Sequence, residues 1–97
     1  MYSIDDLERD WAKREEILKA IRKDRGKKYG SPEDTLGNVA SFGWIGAVIN
    51  HYECASRLKN IVNKLLDGED IDMADVLNAS RDAGNYAGFI EILIKRK

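Results

Sequence analysis

The sequence predicts an all-α fold: a small bundle of four helices, or of three long helices with the second one kinked. Apolar residues recur at spacings of three and four along most of the 97 residues, which is the period of an amphipathic helix. Helix start and stop residues stand at the ends of these runs. No segment alternates apolar and polar residues as a half-buried strand does.

The elements follow in order. Ser3 is a good N-cap, and Asp6 three residues later approximates a capping box. Ile4, Leu7, Trp11, Leu18 and Ile21 then mark one face of a first helix (1–24). Gly26 and Gly30 bracket an expected basic loop (25–31). Ser31-Pro32-Glu33-Asp34 reads as a cap, a proline at the first helical position and acids in the first turn, where the helix dipole favours them. A middle helix or kinked helix pair (32–66) is expected, with Gly43 and Gly46 as the place for a bend or break. Val48, Tyr52, Ala55, Leu58, Val62 and Leu65 carry its period. Asp67-Gly68 stops it, Gly68 suiting the left-handed residue after a helix. Asp72 caps the last helix (72–95), whose expected buried seam is Met73, Val76, Ser80, Ala83, Ala87, Ile90 and Ile94.

The length suits a single helical domain over 1–97. With 43 % apolar and 34 % charged residues the chain is globular in composition. Lys plus Arg number 16 against 17 for Asp plus Glu, so no broad basic face favours nucleic acid. No apolar run approaches membrane-spanning length, and the first residues lack the pattern of a secretion signal. The single cysteine, Cys54, cannot form an internal disulfide or, with one histidine, a conventional Cys/His zinc site. A cytoplasmic setting is expected. Cys54 reads as a small buried residue more readily than as a reactive thiol, and His51 as a structural histidine more readily than as a base. Trp11 and Trp44 read as anchors of the core or of a subunit interface.

The chemically informative feature is a polar stripe on the last helix. Asp75, Asn78, Asp82 and Asn85 lie at spacings of three, four and three, on one side of a helix. Asp and Asn are poor interior helix residues because their short side chains compete for backbone hydrogen bonds. A second stripe, Asn50, Glu53, Arg57, Asn60 and Lys64, runs along the middle helix. Antiparallel packing of the two helices would bring Glu53 and Arg57 near Asp82 and Asn85. Such a cluster offers oxygen ligands to Mg²⁺, whose retained waters can meet a phosphate. The plainer reading makes Arg57 and Asp82 a structural ion pair. Arg25, Lys28 and Tyr29 in the expected basic loop add charge for phosphate and a ring for a base; the plainer reading there is a solvated turn.

Lys28-Tyr29-Gly30, Asp34-Thr35-Leu36, Glu53-x3-Arg57-Leu58-Lys59-Asn60-Ile61, and Asp75 with Asp82-x2-Asn85-Tyr86-Ala87 occur in that order. Over about residues 25 to 93 this resembles the small helical nucleotide-modification-associated domains of phages and bacteria, often described as domains of unknown function. Those are distantly similar to the MazG-like all-α nucleoside triphosphate pyrophosphatases. The resemblance implies a role in nucleotide metabolism and a homodimer. By position it places Glu53 on the first acidic helix and Asp82 with Asn85 on the second; the expected scheme makes Glu53 and Asp82 the catalytic acids, with Asp75 joining them on Mg²⁺ directly or through water. Arg25, Lys28, Tyr29, Arg57, Asn78, Asn85 and Tyr86 would meet the nucleotide. The pyrophosphatases usually carry paired Glu on the first site helix and Glu-x2-Asp on the second. Here Glu53 is followed by Cys54, and the second helix reads Asp82-x2-Asn85. Fewer carboxylates weaken metal binding, so a nucleotide binder without catalysis stands beside a Mg²⁺-dependent pyrophosphohydrolase. From a different class, a small viral or plasmid protein-interaction module is the alternative.

Overall fold

The computed structural model describes residues 1–29 and 42–95, with backbone alone at 28 and 29. The described residues form three helices, α1 (Ile4–Tyr29), α2 (Gly43–Leu66) and α3 (Met73–Lys95), and no strand. The all-α class is as the sequence predicts, with three helices rather than four among these residues. The expected helix start at Ser31-Pro32 lies outside them. The chain divides into two compact units, one carrying α1 and the other carrying α2 and α3. No described helix is long and apolar enough to cross a membrane.

In α1 the cap is reciprocal. The Asp6 backbone N–H donates to Ser3 Oγ at 3.0 Å, and the Ser3 N–H donates to Asp6 Oδ2 at 2.9 Å. Arg9 also donates to the Asp6 carboxylate. The helix runs five residues beyond its expected end at Asp24, so the backbone of Arg25 to Tyr29 is helical rather than looped. The physical reason is that one interior glycine, Gly26, costs a helix only about 1 kcal/mol, and its Arg and Lys neighbours are good helix formers. Leu18 is buried and Ile21 half-buried, whereas Ile4, Leu7 and Trp11 are exposed. Trp11 is therefore no core anchor. Its ring carries the Arg14 guanidinium 5.2 Å from the ring centroid, a cation–π contact.

The question of a bend at Gly43 has a definite answer. Gly43 has φ +63°, and α2 begins there after Phe42. A left-handed residue interrupts any right-handed helix arriving from before it. At the other end, the Gly68 N–H donates to Leu65 O at 3.1 Å and the Glu69 N–H to Lys64 O at 3.0 Å. With Gly68 at φ +84°, this pair of bonds is a Schellman motif. Asp72 then caps α3, its Oδ1 accepting from the Ala74 N–H at 2.9 Å.

The two helices of this hairpin pack on faces that only partly overlap those expected. On α2 the buried residues are Ala47 and Cys54, with Leu58 and Ile61 half-buried. Of the expected seam only Leu58 points partly inward; Val48, Tyr52, Ala55, Val62 and Leu65 are exposed. On α3 the buried residues are Ala79, Asp82, Asn85 and Leu93; of the expected seam Val76, Ala83 and Ile90 are half-buried, while Met73, Ser80, Ala87 and Ile94 are exposed. Both helices carry apolar residues around much of their circumference, so periodicity alone does not choose the packed face. The small side chains of Ala47, Cys54 and Ala79 let the backbones approach. The polar stripe of α3 turns inward at Asp82 and Asn85 because its atoms find partners. No buried side-chain nitrogen or oxygen among the described residues lacks a hydrogen bond.

Candidate functional site

A cleft of about 380 Å³ opens along the α2–α3 hairpin. From α2 it is lined by Asn50, Glu53, Cys54, Ser56, Arg57 and Asn60. Asp82 and Tyr86 of α3 complete it. Four of these α2 residues belong to the polar stripe at three- and four-residue spacing, which is why one helix edge presents them together. Antiparallel packing brings the α3 stripe up to them at Asp82.

Arg57 ties the two helices together. Its Nη2 donates to Asp82 Oδ2 at 3.1 Å and to Cys54 Sγ at 3.2 Å. The bond to the Cys54 sulfur and the ion pair with Asp82 raise the Arg57 pKa above its ordinary value, so the guanidinium is a permanent positive charge. The two partners differ in access: the Asp82 side chain is 12 % exposed and that of Arg57 54 %. Asp82 thus holds a guanidinium whose remaining surface faces the cleft and solvent. Tyr86 forms part of the α3 wall, its ring edge-on to Phe89 with centroids 6.3 Å apart, an arrangement aromatic pairs favour.

The structure brings together Glu53, Arg57, Asp82 and Tyr86 from the residues singled out in the sequence. Asn85 is buried one turn from Asp82 but is not part of the cleft lining. Asp75 and Asn78 lie further toward the start of α3, exposed and away from it. Arg25 stands on α1, in the other unit. The side chains of Lys28 and Tyr29 lie outside the described residues. Cys54 and Ser56 were not expected in the lining. Cys54 is buried, as its residue type suggested, yet its sulfur borders the cleft. His51 is half-buried and lies outside the lining. Trp44 is also exposed and is not a core anchor either.

The acids do not fit a resident Mg²⁺. Among the described residues no three His, Cys, Asp or Glu side chains gather closely enough to hold a metal ion. Asp82 already accepts from Arg57, and a fixed guanidinium at that distance opposes a second cation. Glu53 remains as the one other carboxylate of the cleft, fewer ligands than a protein-held ion ordinarily takes. The cleft can instead offer a cation, two carboxamides and an aromatic ring to a polar ligand. Comparison with protein-family models, curated proteins and solved structures found no match.

Proposed function

We propose that this chain is a nucleotide-binding protein of nucleotide metabolism or modification, binding its ligand in the α2–α3 cleft without a resident metal. The observation that carries the proposal is the Asp82-held Arg57 guanidinium, half exposed at the wall of a 380 Å³ cleft. That volume lies within the roughly 300–1,000 Å³ common to small-ligand sites. A guanidinium held by a buried carboxylate is oriented before the ligand arrives, which reduces the cost of binding phosphate. The Asn50 and Asn60 carboxamides carry both donors and acceptors for a base edge, and Tyr86 supplies an aromatic surface. The order of short motifs resembling nucleotide-modification-associated domains supports the same ligand class. A cytoplasmic setting suits the unpaired Cys54.

The reading favours binding over pyrophosphate hydrolysis, because the acid supply at Asp82 is committed to Arg57. The test is a panel of ribo- and deoxyribonucleoside mono-, di- and triphosphates, each with and without Mg²⁺, followed by thermal shift and pyrophosphate release. Binding to the folded state raises Tm by mass action. A shift that is abolished in Asn60→Ala, with helicity unchanged, supports the cleft. Absence of any shift at millimolar nucleotide would overturn the proposal. Pyrophosphate release in proportion to protein would restore the enzymatic reading.

A further inference from the structure

We infer that the ligand of the α2–α3 cleft is a ribonucleoside 5′-monophosphate, seated with its phosphate on Arg57 and the hydroxyls of its ribose on Glu53. The inference rests on the nucleotide reading and adds to it the sugar, the length of the phosphate chain and the direction of binding. Asn50, Glu53 and Arg57 line the cleft from one helix. Their steps of three and four residues set them in order along about 10 Å of the α2 edge. A carboxamide, a carboxylate and a guanidinium in that order suit the base, the sugar and the phosphate of a nucleotide.

Glu53 and Arg57 stand one turn apart, a spacing at which Glu and Arg commonly pair. Arg57 reaches instead across to Asp82 at 3.1 Å, which leaves the Glu53 carboxylate without Arg57 as its partner. A group that only accepts hydrogen bonds selects a ligand that brings donors, and adjacent hydroxyls match its two oxygens. The turn from Arg57 to Glu53 is about 6 Å long. The 5′-phosphate and the 3′-hydroxyl of a nucleotide are joined through only C5′, C4′ and C3′, so the sugar falls at Glu53 and the base beyond it, toward Asn50. Glu53 also repels phosphate from that end, which fixes the direction. Because α3 runs antiparallel, Tyr86, one turn beyond Asp82, borders the base end. The chain of phosphates is short for a reason of charge. Arg57 is the cation of the lining, against the carboxylates of Glu53 and Asp82. Past Arg57 the edge continues to Asn60, and Lys64, one turn further, is not part of the lining. A second and third phosphate would add negative charge where no further cation among the described lining residues meets it.

Isothermal titration calorimetry of the full chain, in EDTA at fixed ionic strength, tests it. The probes are AMP, GMP, CMP and UMP, their 2′-deoxy counterparts, and the corresponding di- and triphosphates. For the base bound best, the ribonucleoside monophosphate is expected to bind about tenfold more tightly than its 2′-deoxy counterpart. It is expected to bind on the order of tenfold more tightly than the triphosphate. Glu53→Gln, a change at an exposed residue, should bring the ribose preference to within about threefold with helicity unchanged. The comparison of sugars on the wild type needs no variant and decides the matter if that one loses its fold. Equal affinity for ribose and deoxyribose overturns the inference and leaves the nucleotide reading standing. So does a triphosphate bound more tightly than the monophosphate, or a ribose preference that survives Glu53→Gln. Absence of binding by every nucleotide overturns both.

Discussion

The Arg57 guanidinium and the Asp82 carboxylate, 25 positions apart in sequence, meet at 3.1 Å across the α2–α3 hairpin. The pair is asymmetric, with the acid inside and the base half in water. Removing the base is therefore worse than removing the acid. Arg57→Ala takes the cation away from a buried carboxylate, and after discounting for the half-exposed guanidinium this is expected to cost roughly 2 kcal/mol. Asp82→Ala leaves an arginine that can turn to solvent, and roughly 1 kcal/mol is expected. Replacing both, as Arg57→Met with Asp82→Leu, should recover most of the loss. Urea unfolding of the three variants measures the ordering; equal costs for the two single variants would contradict the asymmetry.

The turn between α2 and α3 depends on one backbone conformation. Gly68 sits at φ +84° and nothing lies within 4 Å of the place a Cβ would take. Substitution there is penalised by backbone strain alone. Gly68→Ala is expected to cost roughly 1–2 kcal/mol, and Gly68→Asn less, because Asn tolerates the left-handed region better. Thermal unfolding of the pair checks the order, and an alanine variant as stable as the asparagine one would count against the Schellman geometry.

The cap of α1 carries a pH dependence of definite sign. The Ser3 backbone N–H, then the Ser3 side chain, then Arg9 favour the ionised Asp6 carboxylate and hold its pKa below the ordinary 3.8. A folded-state pKa lower than the unfolded one means that the unfolded chain binds the proton first. The cap's contribution is complete above 3.8 and is lost as pH falls through the folded-state value. The Ser3 amide resonance should therefore titrate with a midpoint below 3.8, and Asp6→Ala should remove the titration. A midpoint at or above the ordinary value would rule out the reciprocal cap.

These caps were legible in the sequence because each is local. Ser3 with Asp6, Asp67-Gly68 and Asp72 act within a few residues, and a short window contains the whole interaction. The packed faces were less legible. α2 presents Ala47 and Cys54 on one side and Val48, Tyr52 and Val62 on another. The larger apolar side chains draw attention to the second, while close helix approach favours the small residues of the first. The polar stripes do meet at Glu53, Arg57 and Asp82, which line one cleft, because antiparallel helices bring such stripes to a common edge. They could not show that Asp75 and Asn78 end up away from the cleft. Nor could they show that Arg57 occupies the carboxylate a metal would need.

Cys54 offers a direct probe of the hairpin. It is only 2 % exposed, with its sulfur 3.2 Å from Arg57 Nη2, so a thiol reagent reaches it chiefly when α2 and α3 part. Its reaction with a small aromatic disulfide is expected to run at least about 100-fold slower in the native protein than in urea. The rate should climb with sub-denaturing urea, because opening precedes attack. Arg57→Ala removes both the sulfur's neighbour and the inter-helix tie, so it should speed the native reaction. A ligand seated in the cleft should slow it, since Cys54 forms part of the wall. Native labelling as fast as that of the unfolded chain would mean that the α2–α3 contact at Cys54 is not made, and the cleft built on that contact would fall with it.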